Sequence, residues 1–484
     1  EALKTLNAGA DAGNTAVGYQ AGVDLTTGVQ NVIIGYVAGP DLTDADFNVA
    51  VGVGALFNDH KGNKSTAIGH NTLVTQDFTT STDTLNTAVG YSAGNGVTVG
   101  KSNTLIGALA GDALTDADFN IAIGSEALTG DTLGSRSVAI GQHALQVQNF
   151  TTATDVYNVA VGYDAGVAVT TGTRNTIIGG LAGDALTTGS FSVAVGYAAL
   201  STEDTADNNT AVGYAALTTL NGGAKNTAVG QSAAAAMTTG VNNTIVGTNA
   251  GDALTDADFN VALGVSALTT DTLGSRTTAI GTNALFSQNF TTATNSFNTA
   301  VGFEAGAAMT TGTKNQLFGP EAGDALTDAD FNVAVGYAAL SGDTLGSRST
   351  AIGHGALFAQ NFTTATDTFN TAVGYQAGVA VTTGIQNTLM GGLAGGAMTT
   401  GSRNTFMGIG AGSAGVVTGN DNTAVGASTG ASLTSGSNNL LLGHDAGLSG
   451  SPGGGIGSVS NQINLGDENI NECNIQVDWT VASD

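Results

Sequence analysis

Five histidines (His60, His70, His143, His354, His444) and one cysteine, Cys473, are the side chains of this 484-residue chain best suited to act as base, nucleophile or soft-metal ligand. No histidine stands in an HExxH or HxH arrangement, and a lone cysteine builds neither an intrachain disulfide nor a Cys-based zinc cluster. No serine, histidine and acid follow a nucleophile motif. His70, His354 and His444 each follow a glycine where tyrosine is the common occupant, so they read as members of one structural column. The remaining chemistry lies in carboxylates. "TDADFN" recurs at 43–48, 115–120, 255–260 and 327–332. Its pairs Asp116 and Asp118, Asp256 and Asp258, and Asp328 and Asp330 have a spacing that, with turn carbonyls, suits Ca²⁺. Neither the EF-hand pattern nor the GGxGxD nonapeptide is met, so a turn role is the favoured reading and calcium the one candidate cofactor. The residues point to a protein that is not an enzyme.

These residues hang on a ruler. A glycine closes a triplet such as "TAV" or "VAI" at 18, 35, 52, 69, 90 and onward to 443, 25 times in all. Successive copies are 17 residues apart, except for four steps of 21 and one of 18. A short fixed period is the mark of a solenoid whose turns cannot bury a core alone. The expected fold is all-β: a parallel β-solenoid of about 25 turns. The long steps carry inserts at 76–83, 148–155, 288–295 and 360–367, reading "QNFTTATD" or close to it, and a unit of 72 residues is thereby duplicated. Their Phe78, Phe150, Phe290 and Phe362 are candidate receptor-facing residues, because inserts depart from the minimal turn.

Positions are counted here from the marker glycine. Position −1 is always apolar, −3 mostly Thr or Val, and −2 mostly Ala. Period-two alternation puts −3 and −1 on one face. The expectation is that these branched side chains fill a narrow interior, while Ala and Gly let another wall approach. Position −4 is Asn in 20 copies, a turn residue able to bond its neighbours in the stack. Position −5 alternates ring and cation: Phe259, Arg276, Phe297, Lys314, Phe331, Arg348, Phe369. With turns ~4.8 Å apart, that alternation reads as a cation–π ladder. Tyr recurs at +1, where packing is favoured over stacking on sugar rings. "TTG" at 170–172, 238–240, 310–312 and 382–384 sits at a turn, which weighs against an ice-binding array.

Composition bounds the function. A net charge of −27, with 11 basic residues, disfavours nucleic-acid binding. No run of 18 apolar residues exists, so no membrane span is expected. Four regions follow: a lead-in at 1–13, the repeats at 14–447, a Gly/Ser linker at 448–460, and a different β segment at 461–484 holding the only Trp, Trp479.

"NVAVG" at 48–52 and "SVAIG" at 137–141 resemble repeats in the heads of trimeric autotransporter adhesins, which are left-handed β-rolls. "NTAVGYQAG…TTG…NTxIG" is similar to repeats in bacteriophage tail-fibre and tail-spike proteins, over residues 14 to about 447. The ending "NLGDENINECNIQVDWTVASD" is similar to the segment that in such phage proteins precedes a self-cleaving trimerisation chaperone. That likeness makes Ser483 and Asp484 a candidate processing junction. The resemblance implies a homotrimeric, extracellular virion fibre that contacts other tail proteins and a host receptor or glycan. The alternatives are a bacterial cell-surface adhesin head and, after it, an ice- or polysaccharide-binding solenoid. Trimer contact is expected through the Ala/Gly faces.

Overall fold

The computed structural model describes residues 1–9, 11–451, 454–470 and 472. Cys473, Trp479 and the candidate junction at Ser483 and Asp484 lie outside them. The chain divides into two compact units, Glu1–Asp258 and Phe259–Asp484. Each is an all-β parallel solenoid. In the first, three-residue strands run from Thr15–Val17 to Thr244–Val246; in the second, from Val261–Leu263 to Ile463–Leu465. Within each unit, successive strands pair in parallel without slip: Thr15 faces Val32, Ala16 faces Ile33, and Val17 faces Ile34. The same register holds for Thr299–Val301 against Gln316–Phe318. No helix is long and apolar enough to cross a membrane among the described residues.

β-branched residues favour the pleated triplet, and glycine ends it. Gly141 has φ +131°, and a Cβ on it would stand 2.2 Å from the carbonyl oxygen of Gly162 on the next turn. Turns therefore touch backbone to backbone at this column. The rest of each turn is bent by left-handed residues at −5, +2 and often +4, as at Arg136 (φ 67°), Glu126 (58°) and Leu128 (55°). A non-glycine residue in that region costs about 1–2 kcal/mol. Inter-turn hydrogen bonds offset the cost: Arg136 N donates to Asp118 O at 3.0 Å, and Glu126 N to Ala108 O at 2.9 Å.

The interior is the reverse of the expectation. Ala at −2 is fully buried, as at Ala50, Ala67 and Ala88, whereas Val17 and Ile34 at −1 are 58% and 37% exposed. The reason is space. Leucines at +4 and +7, among them Leu25, Leu56 and Leu73, reach across the narrow section and leave the strand room mainly for Ala. A larger residue stands at −2 where two glycines clear the way. A Cβ on Gly94 would lie 2.6 Å from Leu105, and one on Gly111 2.8 Å from it. Leu317 and Leu389 have the same paired glycines, at Gly306 and Gly323 and at Gly378 and Gly395. This volume exchange explains why +4 runs Gly, Gly, Leu, Leu, as at Gly94, Gly111, Leu128 and Leu145.

In the stretch 448–460, the described residues 448–451 and 454–460 bond the preceding turn, with Thr434 N donating to Gly457 O at 2.7 Å. Ile456 is buried within it, and the strand that follows pairs Ile463 with Leu440. The lead-in also joins the stack: Leu3 N donates to Ala21 O at 3.1 Å and Asn7 N to Thr26 O at 2.7 Å.

Candidate functional surfaces

Beyond the part-buried Asn14, the asparagines at −4 are buried, and they tie turn to turn. Asn120 N donates to Asn103 Oδ1 at 2.9 Å, and Asn120 Nδ2 to Gly134 O at 2.9 Å. Most of their amide groups thus bond backbone, with side-chain pairs such as Asn243 Nδ2 to Asn226 Oδ1 at 3.0 Å as the lesser part. This is a structural ladder, and it leaves the chemistry to other columns.

The inserts are held down by a buried polar cluster that the sequence reading missed. Asp131 accepts from Gly134 N at 3.0 Å, Phe150 N at 3.1 Å and Gln148 Nε2 at 2.6 Å. Gln148 also donates to Ser137 Oγ at 3.0 Å and accepts from Asn158 Nδ2 at 2.9 Å. Asp59 with Gln76, Asp271 with Gln288, and Asp343 with Gln360 repeat the pairing. Burial pushes the Asp59 and Asp131 carboxyls above the ordinary carboxylate value, against the hydrogen bonds that pull them down. The signal was present: position +7 is otherwise largely Leu, Val or Met, and turns acidic one turn before a glutamine. In the block without an insert, Glu203 holds the acidic place, Leu220 replaces the glutamine, and Glu203 Oε2 has no partner among the described residues.

Phe78, Phe150, Phe290 and Phe362 point inward and are 5–8% exposed. They are not receptor-facing side chains, because each plugs the base of its insert against the apolar interior. What the inserts present is Thr79, Thr80 and Ser81 in the first and Thr-Thr-Ala in the other three. Each closes on a short parallel pair, such as Gly134–Ser135 with Thr154–Asp155.

At −5 the cations stack unevenly. Arg276 lies 4.8 Å from the Phe259 ring centroid, Lys314 4.7 Å from Phe331, and Arg348 4.8 Å from Phe331 and 5.8 Å from Phe369. Among the described residues no cation is seated over Phe297, although Lys314 N donates to Ser296 O beside it. The competing partner is the insert: Arg276 Nε donates to Asn295 at 3.0 Å and Arg348 Nε to Asp367 at 2.8 Å.

The +1 rings are exposed, and several of them pack on the ring of the next turn. Tyr19 and Tyr36 are 5.3 Å apart at 14°, and His354 lies 5.3 Å from both Tyr337 and Tyr375. Ring faces so occupied leave mainly edges for a ligand. Of the remaining histidines, His60 bonds Asp77 at 2.8 Å, and His143 bonds Asp164 at 2.9 Å with Glu126 at 3.8 Å. The Asp77 carboxylate raises the His60 pKa.

The "TDAD" aspartates serve the preceding turn. Asp118 accepts from Lys101 N at 2.7 Å, Asp258 from Val241 N at 2.8 Å, and Asp330 from Thr313 N at 2.6 Å. Asp256 and Asp328 accept from Thr239 and Thr311 hydroxyls at 2.7 Å; Asp116 holds the equivalent position, but the residue one turn before it is Val99, which has no hydroxyl to donate. Among the described residues no group of three or more His, Cys, Asp or Glu is placed to hold a metal ion.

The outward face of each sheet carries no charge. From Thr15 to Leu465 every −3 residue is Thr, Val, Ile, Leu or Gln, and every −1 residue is a large aliphatic, Met or Phe. The −1 side chains lie partly open to solvent, about 40% at Ile178, Phe318 and Met390. In comparison with known proteins, the chain matches no protein-family model and shows no significant similarity to a curated protein.

Proposed function

We propose that the chain is a structural, non-enzymatic fibre protein that works outside the cell as a homotrimer, extending from a phage tail to a host surface. One observation carries the trimer: an uncharged file of partly open apolar side chains, one per turn, on a protein with 38 acidic residues. Such a strip is costly in water and marks a contact surface. A second copy offers the same rung spacing, so its own −1 file meets this one turn for turn. The contact therefore runs along the −1 file, since the Ala column lies inside. Threonine-rich insert tips and the exposed +1 rings supply the outer surface toward the host. The repeat wording that resembles tail-fibre proteins favours a virion over the alternative, a cell-surface adhesin. A downstream self-cleaving chaperone in the gene supports the first, and a downstream membrane anchor the second.

Light scattering in native buffer tests the assembly. The expected mass is three times the 47.4 kDa chain, and a lysine at Val301 or Val335 should lower it. A monomer mass for the unmodified chain overturns the trimer. A second reading draws on the same face: consecutive threonines at Thr350, Thr371, Thr388, Thr405 and Thr423 form a regular array. Thermal hysteresis by a monomeric chain would favour that ice-binding reading.

A further inference from the structure

The −5 column is filled by rings and cations along much of its length, but near the end of the second unit it becomes short and polar. Asp421, Asn438 and Asn461 occupy three successive turns there, each left-handed at φ 57–61°. Where bulk is missing, a pocket of about 450 Å³ opens. Thr423, Leu440 and Ile463 at −3, with Asn439 and Gln462 at −4, complete its lining. We infer that this pocket is a binding site for an uncharged sugar ring, deepening the surface-attachment reading on which the inference rests.

The chemistry of the walls selects the ligand. Asn438 Nδ2 donates to Asn461 Oδ1 at 2.8 Å, which orients both amides and leaves Asn438 Oδ1 as acceptor and Asn461 Nδ2 as donor. Gln462 Nε2 donates to Ser460 O at 3.3 Å, which leaves Gln462 Oε1 as a second acceptor. Vicinal hydroxyls, each donor and acceptor at once, match such a set. Asp421 is compensated: Arg403 Nε and Nη2 donate to its two oxygens at 2.6 and 2.9 Å. The pocket therefore offers no net charge to a phosphate or an amine. Leu440 and Ile463, the latter 57% exposed, give an apolar patch for the C–H face of a pyranose. The volume lies in the range of small-ligand sites. The backbone beneath is fixed by the turn-to-turn bonds of Asn438 N to Asn420 O at 2.9 Å and Asn461 N to Ser437 O at 3.0 Å.

The test uses the full chain and methyl glycosides of glucose, galactose, mannose and N-acetylglucosamine, read by saturation-transfer NMR and titration calorimetry. At least one glycoside should bind, and Asn461→Phe should weaken it by about tenfold or more. Phe is compatible with this backbone, since Phe331 stands at the same position with φ 61°; unchanged melting of the variant checks that. Asn242→Phe, at the same position in the first unit, should leave binding intact. The inference is overturned if none of the four binds at millimolar sugar, or if Asn461→Phe binds as the unmodified chain does. Adsorption to host cells is scored separately. Unchanged glycoside binding and unchanged cell binding in Asn461→Phe together sink the pocket and keep attachment. Sugar binding without cell binding keeps the pocket and sinks attachment.

Discussion

Gln148 donates through Nε2 to Asp131 Oδ2 at 2.6 Å, across one turn and wholly inside the solenoid. The pair ties a long turn to the one before it. Gln148→Leu should leave a buried carboxylate oxygen without its donor and cost about 2–4 kcal/mol. Because repeats interact chiefly with neighbours, the loss should be local. Hydrogen exchange should show lost protection from about residue 131 to 158 and none near residue 50. Adding Asp131→Leu, which restores the apolar character of this column, should recover part of it; equal protection in single and double variants would contradict the pairing.

The same pair sets a pH response. Burial raises the Asp59 and Asp131 pKa values, so the folded chain binds those protons more tightly than the unfolded chain. The linked stability is complete below the ordinary Asp value and is lost as pH rises through the raised one. Asp421 has the opposite sign, its carboxyl lowered by the bonds from Arg403. Its contribution is present above the ordinary value and lost as pH falls through the lowered one. After correction for intrinsic rates, acidification from pH 7 to about 4 should raise protection at the Gly134 and Phe150 amides. Falling protection there would reverse the assignment.

Marker glycines should tolerate no side chain. Gly141→Ala places a Cβ 2.2 Å from the Gly162 carbonyl, so adjacent turns must part. Gly222→Ala meets nothing within 4 Å and carries only the strain of φ +92°. Thermal melts should show a large loss for the first and about 1 kcal/mol for the second.

The ring–cation column should matter little by itself. Arg348→Ala removes contacts with Phe331 and Phe369 and an exposed ion pair with Asp367, and should cost about 1 kcal/mol or less. A loss several times larger, by denaturant melt, would mean the column carries the fold.

The period, the parallel register and the glycine column were legible because each is a one-residue rule repeated many times. Which side of the strand faces inward was not, since "TAV" is small or apolar on both sides. The leucines at +4 and +7 decide it by occupying the interior first, and they lie outside the strand. Phe150 misled for a related reason: an insert looks like a projection, yet its aromatic residue pays for the detour by burial. The short polar run Asp421, Asn438 and Asn461 breaks the ladder visibly, but only the cavity gives the break a meaning.

The exchange of two glycines for one large strand residue has a consequence for how turns can be spliced. Leu105 fits only between Gly94 and Gly111, so a neighbour of the Leu73 or Leu128 kind would collide with it. Adjacent turns are thus keyed pieces, and the interchangeable part is the 72-residue block that runs from Gln76 to Gln148 or from Gln288 to Gln360. Excising the 17-residue turn that carries Gly111 should jam the stack against Leu105, while excising a whole block should merely shorten it.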